Sequence, residues 1–305
     1  MTILGKRGFV TIATGSEHYY ELAVNLLRSY RLNSDRSCPF AIIAESENEY
    51  TKEFDHVILM RDASHNYLDK LKLFKYIPYE ETIFIDADCL VYGDINRWWD
   101  IFAKGDDFSF FGYTYTDLNT DRGWFMTEGM KEYRDQIHFV PSGSSGICYL
   151  RNTEICRRVF EIANNAAEHY TDYAFNMFRK PADEPVLALG MAVCNCKPTD
   201  AFETAIFNKT QHIDCDILAP YAFQTIRNEK RPARLVHWGN PSTRRSRYLF
   251  ESSKMNAFLK SGGHKSLSYK ILYDKGLKRR LLFVYDITAD FRGLKRRVLN
   301  KIKNS

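Results

Sequence analysis

The 305-residue chain contains no apolar run approaching the ~20 residues that a helix needs to cross a bilayer. Its opening, MTILGKRGFVTIATG, has no signal-peptide core. A secreted or membrane-spanning protein is therefore not expected, and a cytoplasmic location is. Proline is scarce, at nine residues, and no Pro-, Gly- or Ser-rich stretch, internal repeat or low-complexity segment occurs. Collagen-like, mucin-like and repeat architectures are excluded, and no linker divides the chain. The seven cysteines (Cys38, Cys89, Cys148, Cys156, Cys194, Cys196 and Cys215) are odd in number and scattered. Their one close pair, Cys194 and Cys196, has no second pair to complete a zinc site, so reduced and mostly buried thiols are expected. Gly143-Ser144-Ser145-Gly146 lacks the Lys-Ser/Thr of a phosphate-binding loop and reads as a turn, and no nucleophile elbow marks a Ser-His-Asp hydrolase.

What is present is an ordinary globular composition, 45% hydrophobic and 27% charged, with a net charge of +5. That total hides an asymmetry. Residues 261–305 carry twelve Lys or Arg against three Asp, which leaves the first 260 residues mildly acidic. In residues 290–303, Phe291, Leu294, Val298 and Ile302 recur at helical spacing among Arg292, Lys295, Arg296, Arg297, Lys301 and Lys303. Leu277, Leu281, Leu282 and Tyr285 repeat the pattern upstream. This is the pattern of an interfacial helix, and it predicts that residues 265–305 lie on an anionic membrane surface. The division expected is one domain, 1–260, followed by a basic amphipathic helical tail, 261–305.

Residues 8–14 read as a buried strand and Leu22, Ala23, Leu26, Leu27 and Tyr30 as one face of a helix. Further strands are expected at 39–45, 56–60 and 82–86, with a helical stretch at 67–77. Strands alternating with helices imply an α/β fold with a mostly parallel central sheet, which binds ligands at the carboxyl ends of its strands. Beyond it the sequence predicts strands at 108–113, 146–150 and 234–238, and helices at 153–170 and 246–260. A polar and aromatic loop is expected at 114–136, and a short helical turn after Asp183. Asp94 and Asp100 are expected to cap a helix, and Asp106 and Asp107 to be solvated.

In TIFIDADCLVYGDI an apolar strand runs straight into Asp86-Ala87-Asp88. Residues i and i+2 of a strand share a face, so both carboxylates can converge on one cation or on a cation and a hydroxyl, and a divalent metal fits best. Hard oxygen ligands of this kind select Mg²⁺ or Mn²⁺, which take further ligands from a diphosphate.

The segment resembles the Asp-x-Asp motif of the GT-A glycosyltransferases, closest to the retaining family 8 enzymes that include lipopolysaccharide galactosyl- and glucosyltransferases and glycogenin. TIATGSEHYYELAVNLLRSY, NYLDKLKLFKYIP, SGSSGICYLRN, DEPVLAL and LVHWGN are similar to further segments of that family, in the same order, from residue 8 to about 245. The resemblance implies a single GT-A, Rossmann-like nucleotide-sugar-binding domain. It implies a metal-dependent hexosyltransferase using a UDP-sugar donor and Mn²⁺ or Mg²⁺, acting on a glycan or lipid-linked acceptor in cell-surface polysaccharide or lipopolysaccharide synthesis. Asp86, Asp88 and His237 would hold the metal. Asp86 would also meet the ribose, Ala13, Thr14 and Tyr19 would line the base pocket, and Lys70 or Lys72 would approach the diphosphate. Gly239 would let the backbone approach a phosphate.

Two departures are visible. Asp183-Glu184 stands where the family carries Asp-Gln, so a carboxylate replaces an amide beside the reacting carbon. Such a carboxylate can serve as base for an inverting attack or as nucleophile in a double displacement. After His237, PSTRRSR replaces a Lys-containing segment, with Arg244 or Arg245 as the cation available to the diphosphate or as solvated charges. Tyr113, Tyr115, Trp124 and Phe125 offer a sugar platform, or a folded aromatic hairpin. A sugar nucleotidyltransferase would open on a Gly-rich phosphate loop, which TIATGSEHYY lacks. A nucleic-acid binder using the basic tail would leave Asp86 and Asp88 unexplained, and no nucleic-acid partner is expected.

Overall fold

The computed structural model describes residues 3–286 except 176–180, 202, 207–211, 227, 275–276, 279, 282–283 and 285. The amphipathic run 290–303 lies outside the described residues, as do Leu282 and Tyr285. In chain order the first half comprises β1 (Gly5–Ala13), α1 (Glu17–Asn33), β2 (Phe40–Ala44), β3 (His56–Leu59), α2 (Leu68–Leu71), α3 (Leu73–Tyr76), β4 (Tyr79–Ile85), β5 (Cys89–Val91), α4 (Trp98–Phe102), β6 (Phe108–Tyr115) and β7 (Val140–Arg151). Then follow α5 (Glu154–Glu168), α6 (Asp183–Val193), β8 (Thr204–Ile206), β9 (His212–Asp216), β10 (Tyr221–Ile226), β11 (Glu229–Ala233), β12 (Leu235–His237), α7 (Asn240–Thr243), α8 (Ser246–Lys260) and α9 (Leu267–Tyr269).

A six-stranded sheet of order β3-β2-β1-β4-β7-β6 forms the centre. Strands β1 to β4 pair in parallel, and β7 and β6 extend the sheet antiparallel. Both faces are covered, so the inner strands are apolar on both sides. On β4, Ile83 and Ile85 face a core built on α1 and α4 with Phe9, Leu26, Trp98 and Phe102, while Phe84 faces a second core with α5 and α6. The chain runs from β1 outward to β3 and returns to place β4 on the other side of β1. That reversal opens a crevice at the carboxyl ends of β1 and β4.

Several expectations are corrected. Asp94 caps no helix; its carboxylate accepts from the Asn96 amide, and α4 begins at Trp98 without a side-chain cap. Asp107 is not solvated, since it takes bonds from Arg151 and Thr153. The Gly143–Gly146 run is part of β7 rather than a turn. The segment after Asp183 is an 11-residue helix, buried on every side, and so shows no helical period in its sequence. Residues 267–274 pack on α8: Tyr269 is buried, and the Tyr273 hydroxyl donates to Ser253 O (3.1 Å). Among the described residues no helix is long and apolar enough to cross a membrane.

Candidate active site

Asp86 and Asp88 lie where the crevice opens. They are not on the strand, as its alternation suggested, but in the tight turn between β4 and β5, closed by Cys89 N to Asp86 O (3.2 Å). The turn brings both carboxylates to one side, as the strand pattern would have. Strand β12 then pairs antiparallel with β5, His237 opposite Cys89, which carries the imidazole to the same place. The next residue, Trp238, is fully buried in the core. His237 thus belongs to the site and its neighbour to the interior.

His237 Nε2 stands 3.1 Å from Asp88 Oδ1 and 3.7 Å from Asp86 Oδ2. Asp88 Oδ1 is buried and takes no well-directed hydrogen bond. Burial opposes charge on His237, but Asp88 and then Asp86 outweigh it and push its pKa up to about 9. Asp88 is held below its usual range despite burial, by His237 and Lys70; burial raises Asp86. Asp88, Cys89 and His237 present ligand atoms within 4.8 Å of one another. Burial keeps the Cys89 thiol protonated, so Asp86 is the better third ligand. Two carboxylates and one imidazole, with an unbonded buried oxygen, fit a divalent cation. The nitrogen favours Mn²⁺ over Mg²⁺.

Gly146 on β7 backs this centre. A Cβ there would stand 2.7 Å from His237 Nδ1 and 3.2 Å from Asp86 Oδ2, so a side chain at 146 would displace the ligands.

Lys70 is buried among the acids. Its Nζ reaches Asp183 Oδ2 at 2.6 Å, both Asp86 oxygens at 3.0 Å and Ser145 Oγ at 3.1 Å. Burial works against its charge, yet Asp183 and Asp86 raise its pKa well above the ordinary lysine value. Asp183, in the first turn of α6, is held low by Lys70 and by Ser145 Oγ (2.5 Å) in spite of burial. Among the described residues Glu184 has no such side-chain partner: burial first, and Asp183 second, push it up to about 7. Lys72 turns away to Ser64 Oγ (2.6 Å) and Asp69 Oδ1 (3.4 Å).

Two cavities flank these residues. The first, of about 270 Å³, is lined by Thr14, Tyr19, His65, Lys70, Asp86, Asp88, Asp183 and Asn240 among others. Ala13 is the buried last residue of β1, immediately before it. Tyr19 accepts from Asn240 Nδ2 at 2.5 Å. The second, of about 430 Å³, is lined by Phe111, Tyr113, Trp124, Ser144, Glu184, Gln224, Arg231 and His237. Of the four aromatics picked out in the sequence, Tyr113 and Trp124 line the second cavity and Phe125 is core. Gly239 takes φ +68° before α7. Arg244 and Arg245 sit at the junction of α7 and α8.

Sequence reasoning missed His65, Asn66, Asn240 and the burial of Ser145 beneath Lys70. The polar run SHNY after β3 and the Asn following Gly239 were the available signals.

A doubly wound sheet with an antiparallel β7–β6 extension and an acidic turn at its switch point has the GT-A fold. The galactosyltransferase LgtC, solved with donor and acceptor sugar analogues, shares it, with a TM-score of 0.51 at 14% identity over 83% of this chain and 95% of that one. An LgtC active-site mutant (TM-score 0.47, 14% identity, 83% and 95% covered) and mouse xyloside xylosyltransferase 1 (TM-score 0.46, 11% identity, 78% and 99% covered) are also similar. No family model and no curated protein matches the sequence.

Proposed function

We propose that this protein is a metal-dependent glycosyltransferase that moves a hexose from a nucleotide-sugar, with UDP as the nucleotide, to a glycan or lipid-linked acceptor in cell-surface polysaccharide or lipopolysaccharide synthesis. The observation that carries this is the Asp86-Asp88-His237 cluster at the switch point of a GT-A sheet, where two cavities share one wall. Asp86 and Asp88 of the first cavity and His237 of the second would hold Mn²⁺ or Mg²⁺ between them, and Ala13, Thr14, Tyr19 and Asn240 would hold the nucleoside. When bound, the cation stabilises charge developing on the diphosphate.

The protein's own groups do the rest. Lys70 fixes Asp86 and Asp183 and keeps the pocket from carrying three uncompensated carboxylates. Asp183 faces the first cavity and Glu184 the second, so the two acids flank the plane between donor and acceptor. Retention follows if the Glu184 carboxylate attacks the anomeric carbon and expels the nucleoside diphosphate, and an acceptor hydroxyl, giving up its proton, then displaces Glu184. Its position in the second cavity favours a second reading, in which Glu184 takes the acceptor proton and the transfer inverts. Leu277, Leu281 and Val284, all exposed, with Lys278 and Arg280, support a peripheral attachment to the inner membrane face through the basic tail.

The test is a screen of UDP-, GDP- and CMP-sugars for hydrolysis or transfer, with and without Mn²⁺. Mn²⁺-stimulated turnover of a UDP-hexose is expected. Turnover of none, under any metal, would overturn the reading.

A further inference from the structure

The second cavity, of about 430 Å³, is the one that Glu184 lines. One part of its wall is a fixed aromatic ring. Gly123 presses on the start of β7, where a Cβ would come within 2.1 Å of Val140 Cγ1, and Phe125 is fully buried. Trp124 stands between these two anchors, lines the cavity, and donates its indole N–H to Gly143 O at 3.0 Å. An indole has a single donor, and here it is spent inside the protein. What Trp124 presents to a ligand is therefore its apolar ring, which suits one side of a sugar.

Among the described residues two basic side chains line this cavity, His237 and Arg231. His237 is committed to Asp88 and Asp86. Arg231 is held more loosely. Its Nη2 donates to Glu229 Oε2 at 3.3 Å, with the two side chains 45% and 72% exposed, and the guanidinium also donates to the Tyr113 hydroxyl. Tyr113 lines the same cavity and keeps the guanidinium at its edge. An ion pair as exposed as Arg231 with Glu229 contributes little, and Glu229 can turn to water when another anion arrives. The guanidinium carries five N–H donors in a planar fork that matches a carboxylate or a phosphate through two parallel bonds. The backbone beneath it is set, because Arg231 on β11 pairs with Gln224 on β10, and Gln224 donates to Ile206 O at 3.0 Å.

We propose that the acceptor is an acidic sugar, whose ring lies on Trp124 and whose carboxylate or phosphate is taken by Arg231. The inference rests on the glycosyltransferase reading and narrows the acceptor of that same site.

Trp124 also supplies the measurement. Of the four tryptophans, Trp98 and Trp238 are fully buried and Trp99 is 4% exposed, so a change in fluorescence on adding a sugar reports the second cavity. The full-length protein is titrated with methyl glycosides of hexuronic acids, with hexose monophosphates, and with the matching neutral methyl hexosides. One acidic class should bind about tenfold or more tighter than its neutral counterpart, and which class does so distinguishes carboxylate from phosphate. Arg231→Gln, an exposed substitution, should bring the two within about threefold, and Arg231→Lys should restore part of the preference. Trp124→Phe should lose the signal. Equal binding of acidic and neutral sugars by the wild type, binding of none, a preference unchanged in Arg231→Gln, or a signal that persists in Trp124→Phe overturns the inference. Those titrations use neither nucleotide nor metal, so their failure leaves the transferase reading standing, and only the donor screen overturns that.

Discussion

Asp88 carries a buried oxygen whose nearest partner is an imidazolium 3.1 Å away, the arrangement expected of a ligand pair holding a proton where a metal would sit. Asp88→Ala removes one of three protein ligands, and transfer should fall by about two orders of magnitude or more, with metal-dependent nucleotide binding lost. The melting temperature should hardly move, because His237 still faces Asp86 at 3.7 Å. Most of the Mn²⁺-stimulated rate surviving in the purified variant would remove the ligand assignment. Glu184 is the finer question. Its pKa of about 7 means that a role as base or nucleophile requires loss of a proton, so the rate should rise with pH and level near 7, or lower once a bound cation favours the anion. Glu184→Gln should abolish that limb and cut kcat by about 10²–10⁴ while leaving the donor KM in place. An active variant with the same pH profile would make Glu184 a positioning group.

Among the elements, α8 is tied to the β9–β10–β11 sheet by a polar cluster that carries no signal in the residue pattern. Glu251, 5% exposed, accepts from Ile217 N at 2.7 Å, and Lys254 pairs with Asp216 at 2.6 Å. Burial, with a smaller contribution from Asp216, pushes Glu251 up to about 7 from an ordinary 4.5, although Lys254 pulls the other way. The folded state therefore holds this proton more tightly than the unfolded chain. Stability from this group is full below about pH 4 and is lost as pH rises to about 7, a difference of about 3 kcal/mol. Urea midpoints should fall between pH 5 and pH 8 by less in Glu251→Gln, whose carbonyl still accepts from Ile217, than in the wild type. Equal falls would show that the carboxyl titrates normally. This sheet also marks the limit of legibility. β1, β2 and β4 were readable as continuous apolar runs because both faces of those strands are buried. EKRPA in β11 is almost wholly exposed and contains proline, so it carries no strand signal, and the wall it supplies to the second cavity could not be foreseen. DEPVLAL announced two acids but not the buried helix that separates them into different cavities.

At the scale of the molecule, the proposed membrane attachment assigns the acidic body and the basic tail different tasks. The site is complete by Asn240, while the charge lies beyond residue 264. Because Tyr269 and Tyr273 pack on α8, and Asp286 accepts from Ser246 N at 3.1 Å, a cut at residue 262 would expose α8. The informative truncation ends at Asp286. It removes six Lys or Arg and one Asp, each basic residue being worth about 1 kcal/mol at an anionic surface. The shortened chain should keep its turnover of a soluble acceptor, since no cavity-lining residue is lost. Its affinity for vesicles containing anionic lipid should drop about ten-thousandfold. Flotation of the full-length chain should also fail at 1 M salt, where the Debye length shrinks to about 3 Å. Equal flotation of both chains, or binding indifferent to salt, would detach the tail from the membrane. If the full-length chain instead shifted duplex DNA at physiological salt and the shortened chain did not, the basic segment would belong to a nucleic-acid partner.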